Sequence, residues 1–389
     1  MNPPVALYVH YPWCVRKCPY CDFNSHESRG PIPEADYLAA LLKDLDAALP
    51  LIAGRTFETV FFGGGTPSLM AVETVAAVLS ACHQRRLLAD AAEITLEANP
   101  GTVEARKFAG FRAAGVNRLS LGIQSFDDAK LKSLGRIHSA DEARQAAALA
   151  LKHFDNVNLD LMYALPKQTL DQARHDIEAA IALSPAHISA YHLTLEPNTP
   201  FHHTPPPLPD DDAAADMQDM VEERLAAAGY EHYETSAFAR HGTHSGYRCR
   251  HNLNYWRFGD YLGIGAGAHS KLTIGERIAR DARPRGPANY LAEPQTRRWQ
   301  DVTRADLPGE FMMNLLRLHE GFTPALFEQR TGLPFITVEK SVLVARREGL
   351  LEMSDEPIRP SERGRRYLNR LVGLFLDDGA PETFSYSSM

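Results

Sequence analysis

The sequence predicts an α/β fold: a partial barrel of six strand–helix units, of the eight-stranded TIM-like type, with a small, mostly helical, winged-helix-like domain at the C-terminus. Two observations predict it. Short β-rich runs recur at 6–10, 57–62, 93–97, 118–123, 157–162 and 187–195, separated by helix-like stretches. Such alternation gives a parallel sheet wound right-handedly. Chemically unusual residues also fall at the carboxyl end of every run: a three-cysteine segment after the first, Gly63 to Thr66 after the second, Glu97 ending the third, Gln124 after the fourth, Asp160 late in the fifth and Glu196 after the sixth. A barrel gathers such groups at its top face, whereas an open sheet concentrates its site at one switch point.

Each element has a local reason. In the first helix-like stretch Leu38, Leu41, Leu42, Leu45 and Leu49 fall on one face, and the stretches near 72–88, 103–114, 140–152 and 171–183 behave similarly. The Pro-rich then acidic "HHTPPPLPDDDAAAD" can continue neither strand nor helix, and a helix over about 213–228 follows it. Residues 1–200 therefore read as the barrel and 201–304 as a linker and accessory region. Residues 305–375, with three amphipathic helices and a hairpin near 350–360, read as the C-terminal domain, and 376–389 as a tail.

The chain has 389 residues, 44% hydrophobic and 23% charged, which is enough to bury a sizeable core. A net charge of -8 gives no global attraction to nucleic acid or anionic lipid. The start, "MNPPVALYVHYPWC", lacks a leader pattern, and no apolar run reaches the roughly 18 residues of a membrane span. A cytoplasmic protein is expected.

Three of the five cysteines, Cys14, Cys18 and Cys21, fall within eight residues. No second ligand pair downstream completes a zinc finger, and a thioredoxin-like pair of Cys18 and Cys21 would leave Cys14 idle. Three thiolates on a [4Fe–4S] cubane leave one iron with an open position. Cys82, in a helical run, reads as a buried bystander. Cys-x3-Cys-x2-Cys after the first strand of a partial barrel resembles the radical S-adenosylmethionine (SAM) superfamily, whose open iron chelates the amino and carboxylate groups of SAM. Tyr20, just before the third cysteine, suits that pattern as a cover for the cluster or a neighbour of the adenine.

The glycines of "FFGGGTP" let backbone approach a ligand closely. Glu97 and Asp160 are carboxylates in otherwise apolar strands, where a charge needs a cation or hydroxyls beside it. SAM supplies both, and an ion pair with Arg118 or Arg136 is the structural alternative. The order and spacing of "YVHYPWC", "FFGGGTPS", "LEANP", "LSLGIQSF", "LGRIHS" and "NLDLMYALPKQT" resemble the oxygen-independent coproporphyrinogen III dehydrogenase family, over about residues 5–375. By that resemblance Tyr8, Gly64, Gly65, Thr66, Glu97, Gln124, Arg136 and Asp160 match SAM-binding positions, and the three cysteines match cluster ligands.

Two departures separate the branches of that family. The dehydrogenase reads Cys-x3-Cys-x2-Cys-x-Cys after a longer N-terminal arm; here Phe23 stands at the fourth position and only seven residues precede Tyr8. Both departures point to the haem-chaperone branch, as does "HNLNYW". The resemblance implies that His251 ligates haem iron, that Asn252 belongs to the same motif, and that Tyr255 and Trp256 offer flat apolar faces to the porphyrin. The expected cofactors are a [4Fe–4S] cluster, SAM and haem. The expected partners are acceptor haemoproteins, including respiratory ones at the inner face of the membrane, and a second copy of the chain. The rival readings are the dehydrogenase itself, zinc held by His241, His244, Cys249 and His251, and a nucleic-acid surface on Arg346, Arg347, Arg363, Arg365, Arg366 and Arg370, for which a solvated or protein-docking face is preferred.

Overall fold

The structure, a computed structural model, describes residues 3–242, 246–354 and 356–376; His244 and all but the first residue of the expected tail lie outside them. The six expected strands form: β1 (Val5–Tyr11), β2 (Phe57–Gly64), β3 (Leu88–Ala98), β4 (Arg118–Gln124), β5 (Asn156–Tyr163) and β6 (His187–His192). They pair in parallel in chain order. Helices α1 (Glu34–Ala48), α2 (Val72–Gln84), α3 (Ala140–His153) and α4 (Leu170–Leu183) link them, while the stretch expected as one helix over 103–114 is two short ones, Thr102–Ala105 and Phe108–Ala113. α3 and α4 open on capping boxes, Ser139 with Glu142 and Thr169 with Gln172, which satisfy first-turn amides that have no partner within the helix.

The accessory stretch does not stand apart from this sheet. After α5 (Asp211–Ala227), the antiparallel strands β7 (Tyr230–Glu234) and β8 (Ala237–Arg240) extend it beyond β6. At the other edge β9 (Asp260–Ile264) lies parallel to β1, a seventh parallel strand hidden in the sequence by the glycines of "GDYLGIGAGAHS". Antiparallel β10 (His269–Ile274), β11 (Arg277–Ala282) and β12 (Gln300–Asp301) follow, giving twelve strands in the order β12-β11-β10-β9-β1-β2-β3-β4-β5-β6-β8-β7. The parallel run curls into an incompletely closed barrel, and α6 (Arg250–Trp256) lies against the amino-terminal ends of its strands.

Among the described residues, two large hydrophobic cores and a small third cluster of Leu134, Leu165 and Leu193 hold the molecule together. The larger joins the outer face of the barrel to its helices, with Leu7, Val9, Phe62, Leu96, Leu119 and Leu159 among its buried members. The second packs α7 (Leu307–Leu315), α8 (Pro324–Thr331) and α9 (Ile336–Arg347) around Phe311, Phe322 and Phe327, and takes in Leu253 and Phe258 from the accessory stretch. The expected hairpin near 350–360 is reduced to isolated bridges, Phe322 to Ile358 and Leu351 to Pro360. Two of the six C-terminal arginines face carboxylates, Arg366 on Asp219 and Arg370 on Glu348. No helix among the described residues is long and apolar enough to cross a membrane.

Candidate cofactor site

The carboxyl ends of the strands build the site. Beyond β1 the chain makes a short strand, Trp13–Cys14, that pairs with His26–Glu27 and closes the cysteine loop. Cys14 is buried and Cys18 and Cys21 are half-buried, with the Cys21 amide donating to the Cys18 carbonyl at 3.1 Å. Asn24 ties the loop to the barrel, its Nδ2 donating to the carbonyls of Ala266 and Arg285, both at 3.0 Å. The glycine loop after β2 packs directly on the cysteine loop: Gly65 N donates to Tyr11 O at 2.7 Å and Thr66 N to Trp13 O at 2.8 Å. A Cβ on Gly65 would lie 2.5 Å from the Trp13 carbonyl oxygen, so only glycine allows this approach.

Around this loop Arg136 places Nη1 3.6 Å from the Cys18 sulfur and gives Nη2 to Asn99 Oδ1 at 2.6 Å and Gly122 O at 2.8 Å. Tyr20 hydrogen-bonds the same Arg136–Cys18 pair and packs toward Phe201. Asn99 donates to Thr66 Oγ1 at 3.1 Å, linking the arginine to the glycine loop. Gln124 takes a left-handed backbone conformation, φ 68°, at the end of β4, and its amide closes over Gly122 with Arg136 and Asn99. Glu97 accepts from the Gly64 amide at 3.2 Å. Asp160 accepts from Ser120 Oγ at 2.9 Å and Asn158 Nδ2 at 2.8 Å. Burial and the nearby Asp160 push the Glu97 carboxyl up to about 8, and burial raises Asp160 as well. Among the described residues neither acid makes an ion pair with Arg118 or Arg136, although the buried Arg118 nearby offsets part of the rise at both, and a cation beside them would favour their charged forms.

This donor set fits the expected cofactors. Among the described residues no three His, Cys, Asp or Glu side chains converge as ligands of one metal ion would. The three thiols of one loop suit a cubane, in which each holds a different iron. Burial and the neighbouring sulfurs push Cys14 up to about 11, a cost that bound metal reverses. The buried Nε of Arg136 has no hydrogen-bond partner, which suits a carboxylate-bearing ligand such as SAM.

The "HNLNYW" motif lies at the opposite end of the barrel. Through α6, His251 enters the barrel from below: Nδ1 is 2.8 Å from Thr59 Oγ1, its ring stacks on Phe61 at 4.8 Å, and its amide donates to Glu93 at 3.1 Å. Burial lowers its pKa to about 3, so the imidazole is neutral, and Nε2 has no hydrogen-bond partner. A neutral imidazole with a free nitrogen suits a haem ligand. The faces expected to receive a porphyrin are covered, however: Tyr255 stacks on Tyr261 at 4.2 Å, and Arg317 lies 4.8 Å over the Trp256 ring. Asn252 is half-buried and meets the Cys249 thiol through its backbone. Among the described members of the zinc set, Cys249 is buried against Glu93 while His241 is an exposed side chain near Glu231, so those two do not converge.

Sequence reasoning missed the polar column joining the two ends. Asp160 and Ser120 lead to Asn158, then His187 (Nδ1 to Asn158 Oδ1, 2.7 Å), Tyr233 (His187 Nε2 to its hydroxyl, 2.8 Å) and the Cys249 amide that caps α6, at 3.1 Å. Its signal was present: Arg118, Ser120 and Gln124, Asn158 and Asp160, and His187 and Ser189 are polar at alternate strand positions, the spacing of an inward face. Asn99 was likewise visible, two residues from Glu97.

A three-cysteine loop on an open parallel barrel, with glycines and paired acids beside it, defines a radical SAM protein. The Radical SAM superfamily profile matches residues 8–180 and that of the HemN C-terminal domain residues 302–367. The chain is 48% identical over 383 residues to a protein named Heme chaperone HemW from Haemophilus influenzae, covering 97% of this chain and 99% of that one. It is also 48% identical to the protein of that name from Escherichia coli, covering 96% and 98%. Within the superfamily, the chain belongs to the HemW family. Its fold matches the solved structure of the Escherichia coli coproporphyrinogen III oxidase HemN with a TM-score of 0.79, at 23% identity over 96% of this chain and 90% of that one.

Proposed function

We propose that this protein is a haem chaperone, binding haem and passing it to acceptor haemoproteins on a radical SAM scaffold that carries a [4Fe–4S] cluster and SAM. The observation that carries this reading is the 48% identity, spanning 97% of the chain, to a relative named as a heme chaperone. Phe23, half-exposed on the cysteine loop where the dehydrogenase pattern has a fourth cysteine, supports it. So does the neutral, unpartnered imidazole of His251. The likeness to the coproporphyrinogen oxidase is one of fold.

In this reading Cys14, Cys18 and Cys21 hold the cluster, and its open iron receives SAM among Tyr8, Tyr20, Gly64, Gly65, Thr66, Glu97, Gln124, Arg136 and Asp160. His251, Asn252, Tyr255 and Trp256 serve haem, which requires α6 to shift from its present seat. Residues 1–200 carry cluster and SAM, 201–304 the haem motif, and 305–375 form the winged-helix-like C-terminal domain, with 376–389 a tail. The protein acts in the cytoplasm, as a homodimer, delivering to acceptors that include membrane-associated respiratory proteins. Anaerobic reconstitution of the cluster, followed by haem-binding and coproporphyrinogen-decarboxylation assays on one sample, tests this reading. Stable haem binding without decarboxylation is expected; turnover to protoporphyrinogen IX would replace it with the dehydrogenase.

A further inference from the structure

A cleft of about 500 Å³ opens at the foot of the barrel, lined by Arg240, Arg248, Arg250, Arg257 and Arg330 with only Glu58 and Glu231 against them. In a chain of net charge -8 this is a concentration of positive charge, and a concave wall focuses its field outward. Part of that charge is already answered: Arg248 pairs with Glu231 at 2.5 Å and with Glu320 at 3.1 Å, and Arg257 pairs with Glu320 at 2.6 Å. The rest is not. Arg240 lies 5.0 Å over the Tyr230 ring, Arg250 gives Nη1 to the Ala91 carbonyl, and Arg330 has a buried Nε with no hydrogen-bond partner. Among the described residues, none of these three is paired with a carboxylate.

The three come from different places, the strand β8, helix α6 and helix α8 of the C-terminal domain, and converge on one cavity. A solvated basic face on a single helix would not look like this. α6 also divides its residues. Arg250, Leu253, Asn254 and Arg257, at i, i+3, i+4 and i+7, line the cleft, while His251 and Tyr255, at i+1 and i+5, turn to the barrel interior.

We propose that this cleft binds the two propionate carboxylates of haem, an inference that rests on the haem-chaperone reading. Planar guanidinium forks match carboxylates in bidentate geometry, and two carboxylates on one edge of a macrocycle match an array of uncommitted arginines spread across a cleft. Leu253 supplies apolar contact beside them. The propionate edge would thus be held on the same helix that carries His251.

The test uses the full-length chain with its cluster reconstituted and three probes: haemin, haemin dimethyl ester and metal-free protoporphyrin IX. Esterification, or the double variant Arg240→Gln with Arg330→Gln, should each weaken binding about tenfold or more, and the two changes together should do little more than either alone. Protoporphyrin IX should lose the same factor in the double variant, yet be indifferent to His251→Ala, which should shift the Soret band of haemin. Equal affinity for haemin and its ester, or no effect of the double variant, would overturn the cleft and leave the haem reading standing. Absence of any haemin binding would remove both. The ester comparison needs no substitution, so a misfolded variant does not rescue the proposal.

Discussion

Tyr8 and His251 face one another inside the barrel with ring centroids 6.4 Å apart, and Phe61 lies beside both, 6.2 Å from the first and 4.8 Å from the second. Burial lowers the pKa of His10 to about 4, so its neutral ring gives Nε2–H to the Asn24 carbonyl at 2.9 Å and accepts the Tyr8 hydroxyl at Nδ1, 3.1 Å away. One short aromatic stack therefore connects the haem motif below to the anchor of the cysteine loop above.

Replacing His251 with Ala removes the lower end of that stack and the partner of Thr59. The cost should be about 2 kcal/mol of stability, from the cavity and the lost hydrogen bond. Haemin should be held less tightly with a changed Soret band, while iron and sulfide content stay at the native level. Urea denaturation, absorbance and metal analysis on one preparation measure all three, and an unchanged Soret band and affinity would remove His251 from the haem site.

Cys14→Ala, Cys18→Ala or Cys21→Ala should each abolish the reconstituted iron and sulfide, because every iron lost from a three-thiolate site has no spare ligand. Cys82 is buried in α2 and Cys249 lies against Glu93, so Cys82→Ala and Cys249→Ala should keep the cluster. Full iron in a triple variant of the loop cysteines would refute the assignment.

In the proposed SAM site, Glu97 should make binding pH-dependent. Its carboxyl, pushed up to about 8, is mostly neutral at pH 7 in the free protein, and the positive charges of SAM favour its ionised form. Binding therefore releases a proton, and affinity should fall as the pH drops below about 8, by up to about tenfold per unit. In the free protein the same raised pKa gives stability that is present below pH 4.5 and lost as the pH rises through about 8. Glu97→Gln should flatten both profiles. Calorimetry in buffers of different ionisation enthalpy counts the proton; a native chain that releases none would exclude this role.

Trp256 belongs to the seam between α6 and the C-terminal domain, where it packs beside the second core beneath Arg317. Trp256→Ala should cost about 3 kcal/mol and loosen that domain, read as faster amide exchange over residues 305–375. Loss confined to haem affinity, with exchange unchanged, would assign the indole to the porphyrin alone.

Asp44, fully buried on α1, accepts from Arg297 at 2.6 Å, Tyr290 at 2.9 Å and Arg283 at 3.2 Å. Asp44→Ala leaves two buried guanidinium groups, those of Arg283 and Arg297, sharing the single carboxylate of Asp281, and should cost about 3–5 kcal/mol. A thermal midpoint within a degree of the native one would show that solvent reaches these arginines.

Much of this was legible because it is local. Strand–helix alternation, the cysteine spacing and the glycine run each depend on neighbours in sequence, and the six strands form where those signals put them, with the cysteine and glycine loops packed together at their carboxyl ends. What escaped depends on distant partners. The strand at Asp260–Ile264 is written in glycines and tyrosine, and only its pairing with β1 makes it a strand of the barrel. "HNLNYW" reads as a haem ligand beside flat apolar faces for a porphyrin, yet folding turns His251 into the barrel and Trp256 toward another domain, contacts that depend on residues distant in sequence. The arginine cleft draws from four separate stretches, and no window of sequence contains it.

Asn24 hangs the cysteine loop from the carbonyls of Ala266 and Arg285, and β1 has β9 as its outer neighbour. Synthesis runs from N- to C-terminus, so the three cysteines emerge well before the carbonyls of Ala266 and Arg285 that tie their loop to the barrel. Until residue 260 has been made, the loop lacks both of its distant hooks and β1 lacks its outer neighbour β9; the second hook comes only with Arg285. A product ending before residue 260 would therefore carry the three thiols without the contacts that hold their loop against the barrel.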